Sequence, residues 1–206
     1  MTRISVSRKS FMSAPLMPPN APAFGGKISR AFGHLLLRIV GMKIGGTLPN
    51  VPKAILVGAP HTTNWDLILA LGMRYSLGLN YSFMMKKEAF FFPFGGLFKR
   101  MGGIPIDRKA AKNVVEQMND WFSSREKAWI GITPEGTRSK VGKYKKGYLR
   151  IAQEAGVPIY VVGVDSISRT LVFDRLMELT GDIDADNDRI RDFVRSNYSG
   201  LKPKNS

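Results

Sequence analysis

Apolar positions in this chain follow two alternating patterns. Continuous apolar runs at Ala54–Ala59 (AILVGA), Ala128–Thr133 and Val157–Val164 are bounded by Gly, Pro and polar residues, as buried strands are. Tyr81–Lys86 and the short Gly103–Ile106 read as further strands. Between these runs the spacing becomes helical, near Asn64–Leu77, Lys109–Ser124 and Gly147–Ala155. This β/α alternation predicts a single α/β domain with a mainly parallel (mixed) sheet and helices on both faces. After Asp165, RTLVFD reads as an edge strand and DNDRIRDFVRSNY as a closing helix.

Ahead of that domain, Phe24–Ile44 repeats apolar residues at three- and four-residue steps: Phe24, Ile28, Ala31, Leu35, Ile39 and Met42. That is a helix with one apolar stripe, and Lys27, Arg30, Arg38 and Lys43 lie outside it. The stripe either packs on the domain or lies in a membrane interface with its basic residues toward anionic headgroups. The stretch FFFPFGGLF offers the same two alternatives. Large aromatics dominate cores, so at least half of its rings are expected in core or loop packing. The expected organisation is a basic Pro/Ser-rich disordered tail over 1–23, an amphipathic segment over 24–50 and the folded domain over 51–206.

At 206 residues the chain suffices for one such domain and its core. With no cysteine, disulfides and thiolate zinc sites are excluded, and two histidines, His34 and His61, are a thin supply for any other metal. Neither metal nor cofactor is expected. Lys and Arg number 31 against 16 Asp and Glu, a net charge of +15, and no acid occurs before residue 54. Such a cationic leading half favours a polyanionic partner: nucleic acid, an anionic membrane, or a phosphorylated or CoA-type substrate. Nucleic acid fits poorly. The aromatics run in an apolar block instead of alternating with basic residues as a stacking platform does. No apolar run approaches the roughly 20 residues of a membrane span, and no continuous apolar stretch near the start resembles a signal peptide.

In open α/β sheets ligands bind beyond the carboxyl ends of strands. PHTTNWD (Pro60–Asp66) and TPEGTRS both begin where a predicted strand ends. If the first loop folds back, Asp66 can accept a hydrogen bond from His61 and leave the other ring nitrogen as a proton acceptor. That is a Ser-His-Asp triad without its nucleophile, a place that a substrate hydroxyl can fill. The plainer alternative is that both residues merely serve a helix start. In the second loop Glu135, Gly136, Thr137 and Arg138 set a carboxylate, a flexible joint, a hydroxyl and a guanidinium together. Arg138 suits bidentate phosphate binding. The neighbouring Lys140, Lys143, Lys145 and Lys146 read as a solvated basic loop. Arg108 follows the short strand in GGIPIDRK and alone says little.

HTTNWD, IPIDR, PEGTRS and VPIYVVGV occur in that order, and the ordered set resembles the glycerolipid acyltransferase family that includes bacterial 1-acyl-glycerol-3-phosphate acyltransferases. The likeness covers roughly Ala54–Val164. It implies acyl transfer without a covalent acyl-enzyme: His61 as general base for a glycerol-type hydroxyl attacking the thioester of acyl-CoA or acyl carrier protein, oriented by Asp66. It further implies phosphate and glycerol binding by Arg108, Glu135, Gly136, Thr137 and Arg138, and acyl-donor binding near Val157, Pro158 and Ile159. The implied partners are an anionic membrane surface, the acyl donor and a lyso-phospholipid acceptor, lysophosphatidic acid foremost. The implied location is peripheral, on the cytoplasmic face of a bacterial-type membrane. Many members carry an N-terminal membrane span, which this sequence lacks. A non-catalytic basic lipid- or nucleic-acid-binding module and transfer to a different hydroxyl or amine acceptor stand as alternatives.

Overall fold

The computed structural model describes residues 15–60, 63, 65–110, 113–136 and 143–201. In chain order the elements are α1 (Lys27–Val40), β1 (Lys43–Gly46), β2 (Lys53–Ala59), α2 (Trp65–Leu77), β3 (Tyr81–Lys86), α3 (Gly95–Arg100) and β4 (Gly103–Ile106). They continue with α4 (Val114–Ser123), β5 (Ala128–Ile132), α5 (Gly147–Ala155), β6 (Ile159–Asp165), β7 (Thr170–Met177) and α6 (Ile183–Asn197). The strands form one sheet in the order β1-β7-β6-β2-β5-β3-β4. Every pairing is parallel except β6 with β7.

The two-residue period of a strand builds both layers of core. Ala54 and Leu56 of β2 join one cluster, Ile55 and Val57 the other. On the first face α1 and α2 contribute Leu37, Leu69, Met73 and Leu77, packed with Trp129 and Tyr160 of the sheet. On the second, α4, α5 and α6 bring Met118, Phe122, Leu149, Ile151 and Ile190 against Ile130 and Ile159. Each large side chain so buried is worth about 1.5–3 kcal/mol. The buried Arg74 of α2 fastens this layer to the next strand. Its guanidinium donates to the Tyr81 carbonyl and to Asn80 Oδ1 (2.7 Å), and lies 4.5 Å from the centre of the Phe24 ring.

Several boundaries differ from the sequence reading. The amphipathic helix was expected to run to Ile44 but ends at Val40, because Gly41 takes the left-handed conformation (φ 65°). Met42 and Ile44, which extend the helical spacing, are buried at the start of the sheet instead. β1 so formed covers RTLVFD, whose strand β7 is therefore internal. α4 begins at Val114, since Asn113 and Glu116 close a reciprocal capping box there.

The apolar stripe of α1 does not pack on the domain. Ile28 is 89% exposed and Ile39 58%, and Leu35 and Ala31 are exposed with them. The helix docks through its narrow side, with Gly33 against the backbone of Tyr75 and Ser76 and Leu37 against Gly72. These contacts run in opposite order along the two helices, so α1 and α2 are antiparallel. The aromatic stretch is likewise more exposed than expected. Phe91, Phe92 (95%) and Phe94 are exposed, Phe90 and Phe98 are half-buried, and none joins the core.

Candidate active site

β2 and β5 are adjacent parallel strands with Val57 opposite Ile132. Their carboxyl ends release the two polar loops side by side, about 5 Å apart in the sheet. The first loop leaves through the buried Pro60 and reaches the buried Thr63. Thr63 acts as the cap of α2: its Oγ1 accepts from the Trp65 N–H (3.4 Å), while its own N–H donates to Asp66 Oδ2 (2.9 Å). The Asp66 N–H in turn donates to the Thr63 carbonyl (3.2 Å). A carboxylate in the first helical turn also gains from the partial positive charge there. Asp66 is half-buried, with its other oxygen, Oδ1, out of solvent. His61 lies outside the described residues.

The second loop leaves β5 through Thr133 and the buried Pro134 and turns at Gly136, whose N–H donates to the Thr133 carbonyl (3.2 Å). Gly136 has φ 63°, a conformation that side-chain-bearing residues rarely adopt. Glu135 is half-buried beside it. Thr137 and Arg138 lie outside the described residues. The chain returns through Lys145, whose N–H donates to the Pro134 carbonyl (2.8 Å). Next to it Tyr144 is buried, and burial, reinforced by the Glu135 carboxylate, pushes its phenol well above the ordinary range. This returning limb is clamped from α6: buried Asn187 donates to the Tyr144 carbonyl (3.1 Å) and accepts from the Tyr148 hydroxyl (3.0 Å).

Arg108 is exposed in the turn after β4. Its neighbour Asp107 fixes that turn, accepting from the Lys109 N–H (2.9 Å) and pairing with the Lys87 ammonium (3.1 Å). Those partners, the Lys109 N–H foremost, hold the Asp107 carboxyl below its usual range. Gln117 of α4 grips the same residue by exchanging hydrogen bonds with its backbone N–H (3.1 Å) and carbonyl (2.7 Å). β4 stands three strands from β2 in the sheet order, which places Arg108 about 15 Å along the crevice from the first loop. Asp66, Glu135, Gly136 and Arg108 therefore share the carboxyl edge of the sheet.

Val157, Pro158 and Ile159 do not join them. Ile159 pairs with Ile55 at the amino end of β6, and the Pro158 carbonyl accepts from the Ile55 N–H (2.9 Å). Val157 and Ile159 are buried in the second core layer, as apolar residues opening a central strand must be. Two contributors escaped the sequence reading. Thr63 was legible, since T-x-x-D is the spacing of a reciprocal helix cap. Asn187 carried no local signal, being 43 residues from the carbonyl it binds.

Among the described residues no group of His, Asp and Glu is placed to hold a metal ion. Strand-end loops carrying a helix-capping aspartate and a glutamate–glycine turn define an α/β protein whose candidate site lies at the carboxyl edge of a mainly parallel sheet. Sequence comparison sharpens that class: the profile of the family described as Acyltransferase matches residues 44–165, and the chain belongs to that family. It is 31% identical over 160 residues to the 1-acyl-sn-glycerol-3-phosphate acyltransferase of Escherichia coli, covering 70% of this chain and 63% of that one. It is 29% identical over 161 residues to the enzyme of the same name from Pseudomonas aeruginosa, covering 73% and 61%. The chain thus spans about three fifths of the length of these relatives. In fold it is similar to the 1-acyl-sn-glycerophosphate (LPA) acyltransferase PlsC of Thermotoga maritima, with a TM-score of 0.58 at 18% identity, over 82% of this chain and 76% of that one.

Proposed function

We propose that the chain moves a fatty acyl group from a thioester donor, acyl-CoA or acyl carrier protein, to the free hydroxyl of a 1-acyl-glycerol-3-phosphate-type acceptor at a membrane surface. The carrying observation is the Asp66 carboxylate, pinned by the Thr63 N–H on the strand end beside that of the Glu135–Gly136 turn. The names of the curated relatives support the acceptor.

In this reading His61 takes the proton from the acceptor hydroxyl as its oxygen attacks the thioester carbonyl. The tetrahedral intermediate collapses to the new ester and expels the thiolate, which recovers the proton from the imidazolium. Asp66 holds the ring in the accepting tautomer and stabilises it when charged. No covalent acyl-enzyme is needed. Arg108, with Glu135, Gly136, Thr137 and Arg138, binds the acceptor's phosphate and glycerol, guanidinium groups being suited to two-point phosphate contact.

Attachment is peripheral and runs through α1, whose apolar stripe faces outward with Lys27 and Arg38 flanking it. Phe91, Phe92 and Phe94, after the carboxyl end of β3, add a second apolar surface. Among the described residues no helix is long and apolar enough to cross a membrane. The deciding assay presents palmitoyl-CoA or palmitoyl carrier protein and lysophosphatidic acid on vesicles to wild type and His61→Ala. Transfer by wild type alone supports the reading. Equal transfer by both removes His61 as base, and salt-sensitive vesicle binding with no transfer to any lyso-lipid or polyol favours a non-catalytic lipid-binding module.

A further inference from the structure

A cavity of about 1020 Å³ lies between α1, β1 and the β6–β7 turn, and none of its lining residues belongs to the strand-end loops above. We propose that it binds a membrane phospholipid, with the phosphate headgroup on its cationic wall and part of one acyl chain on its apolar floor. The proposal rests on the peripheral-membrane reading and adds to it a lipid site apart from the acyl-transfer crevice.

The wall is a ladder on one side of α1. Arg30, His34 and Arg38 follow at four-residue steps and so span about 12 Å of one helix face. Lys43 extends the wall from β1. Among the described residues none of these four side chains has a hydrogen-bond or ion-pair partner. The acid on the lining, Asp165, is already occupied: its oxygens accept from the Ile167 N–H (3.0 Å) and the Ser168 hydroxyl (2.6 Å). Arg30, Arg38 and Lys43 thus set three positive charges against the one carboxylate of Asp165, and an anion is the complement of the net positive lining.

The floor is apolar, made by Leu37, Met42, Ile44 and Leu77. A bare phosphate leaves that floor unused, whereas an amphiphile uses both surfaces. Leu16 and Ile167 also line the cavity while standing 91% and 90% exposed, so apolar side chains project at its mouth. A mouth of that kind opens toward acyl chains, and Arg38 of the wall also borders the outward stripe of the same helix, so mouth and stripe adjoin. The bilayer is thus the source of the occupant.

Isothermal titration of the full chain with dihexanoyl-phosphatidylglycerol, kept below its critical micelle concentration, tests the site without a bilayer. One saturable site per chain is expected. Arg30→Ala with His34→Ala is expected to weaken it at least tenfold, and Arg30→Gln with His34→Gln serves if the first pair melts early. Glu154→Gln, exposed on α5 away from the cavity, binds as wild type. The proposal is overturned by absence of saturation, by unchanged affinity in the Arg30/His34 pairs, or by displacement with equimolar inorganic phosphate or CoA. Acyl transfer by the same wild-type protein keeps the two readings separate. Lipid binding without transfer upholds the cavity and removes the catalytic reading, whereas transfer without binding removes the cavity alone.

Discussion

The Thr63 N–H donates to Asp66 Oδ2 at 2.9 Å, so the proposed orienting carboxylate is also part of a helix cap. The two duties are separable by substitution. In Asp66→Asn the amide oxygen can still accept from Thr63, but the negative charge is gone. Transfer is expected to fall roughly 10²–10⁴-fold, the usual scale of general-base assistance, with little change in melting temperature. Asp66→Ala should lose the cap as well, at about 1 kcal/mol. Turnover numbers and melting curves for both variants check this; near-normal turnover in Asp66→Asn would remove the orienting role.

Gly33 decides how α1 is held. A methyl group there would sit 2.0 Å from the Ser76 backbone nitrogen and 2.5 Å from the Tyr75 carbonyl carbon. In an exposed helix Gly→Ala stabilises by about 1 kcal/mol. Here the packing cost, about 1–3 kcal/mol or more, acts the other way against backbone that cannot swing aside. Gly33→Ala is therefore expected to destabilise, and the urea midpoint gives the sign directly.

The outward stripe predicts a membrane phenotype without a folding one. Ile28→Ser with Ile39→Ser removes apolar surface that the domain does not use. If interfacial burial is worth about 1 kcal/mol per side chain, vesicle affinity falls roughly 30-fold. Vesicle sedimentation should register that loss while the unfolding midpoint stays in place. Phe92→Ser is expected to act in the same direction through the second patch.

Stability should fall in alkali, and Tyr160 sets the sign. Burial first, and then the Asp174 carboxylate, raise its phenol from 10 to about 12. The folded state therefore holds this proton more tightly than the unfolded chain. Its contribution is complete below pH 10 and is lost as pH climbs from 10 to 12, by about 1–3 kcal/mol. Tyr160→Phe removes only its own share of that slope, since burial raises the phenols of Tyr81, Tyr144, Tyr148 and Tyr198 in the same direction. It also leaves the Thr47 and Asp174 carbonyls without the hydroxyl that donates to them at 2.5 and 3.1 Å, lowering stability near neutrality by about 1 kcal/mol. Urea titrations at pH 8, 10 and 11.5 distinguish the two effects.

What the sequence disclosed tracks how local each signal is. The central strands and α5 were legible because a buried strand needs an unbroken apolar run and a surface helix needs a stripe. β1 was hidden because Ile44 continues the spacing of α1, and only the left-handed turn at Gly41 separates helix from strand. The outward aim of the stripe is set by Gly33 and Leu37 meeting α2, a tertiary contact that no periodicity reveals. At the site, the convergence of Asp66 and Glu135 on one edge followed from strands ending where their motifs begin. The burial of Val157 and Ile159 at the far end followed from strand direction, which the motif alone does not carry.

The docking of α1 on α2 has a mechanical consequence. Gly33 and Leu37 join the outward helix to a second one that begins at the Asp66 turn. On the membrane-bound reading, immersion depth and the height of the proton-accepting apparatus are then one variable, transmitted by a rigid antiparallel pair. Drawing α1 deeper lowers the chemistry by the same distance. Choice among acceptors becomes partly a matter of elevation, favouring hydroxyl groups that stand at a fixed level above the acyl chains.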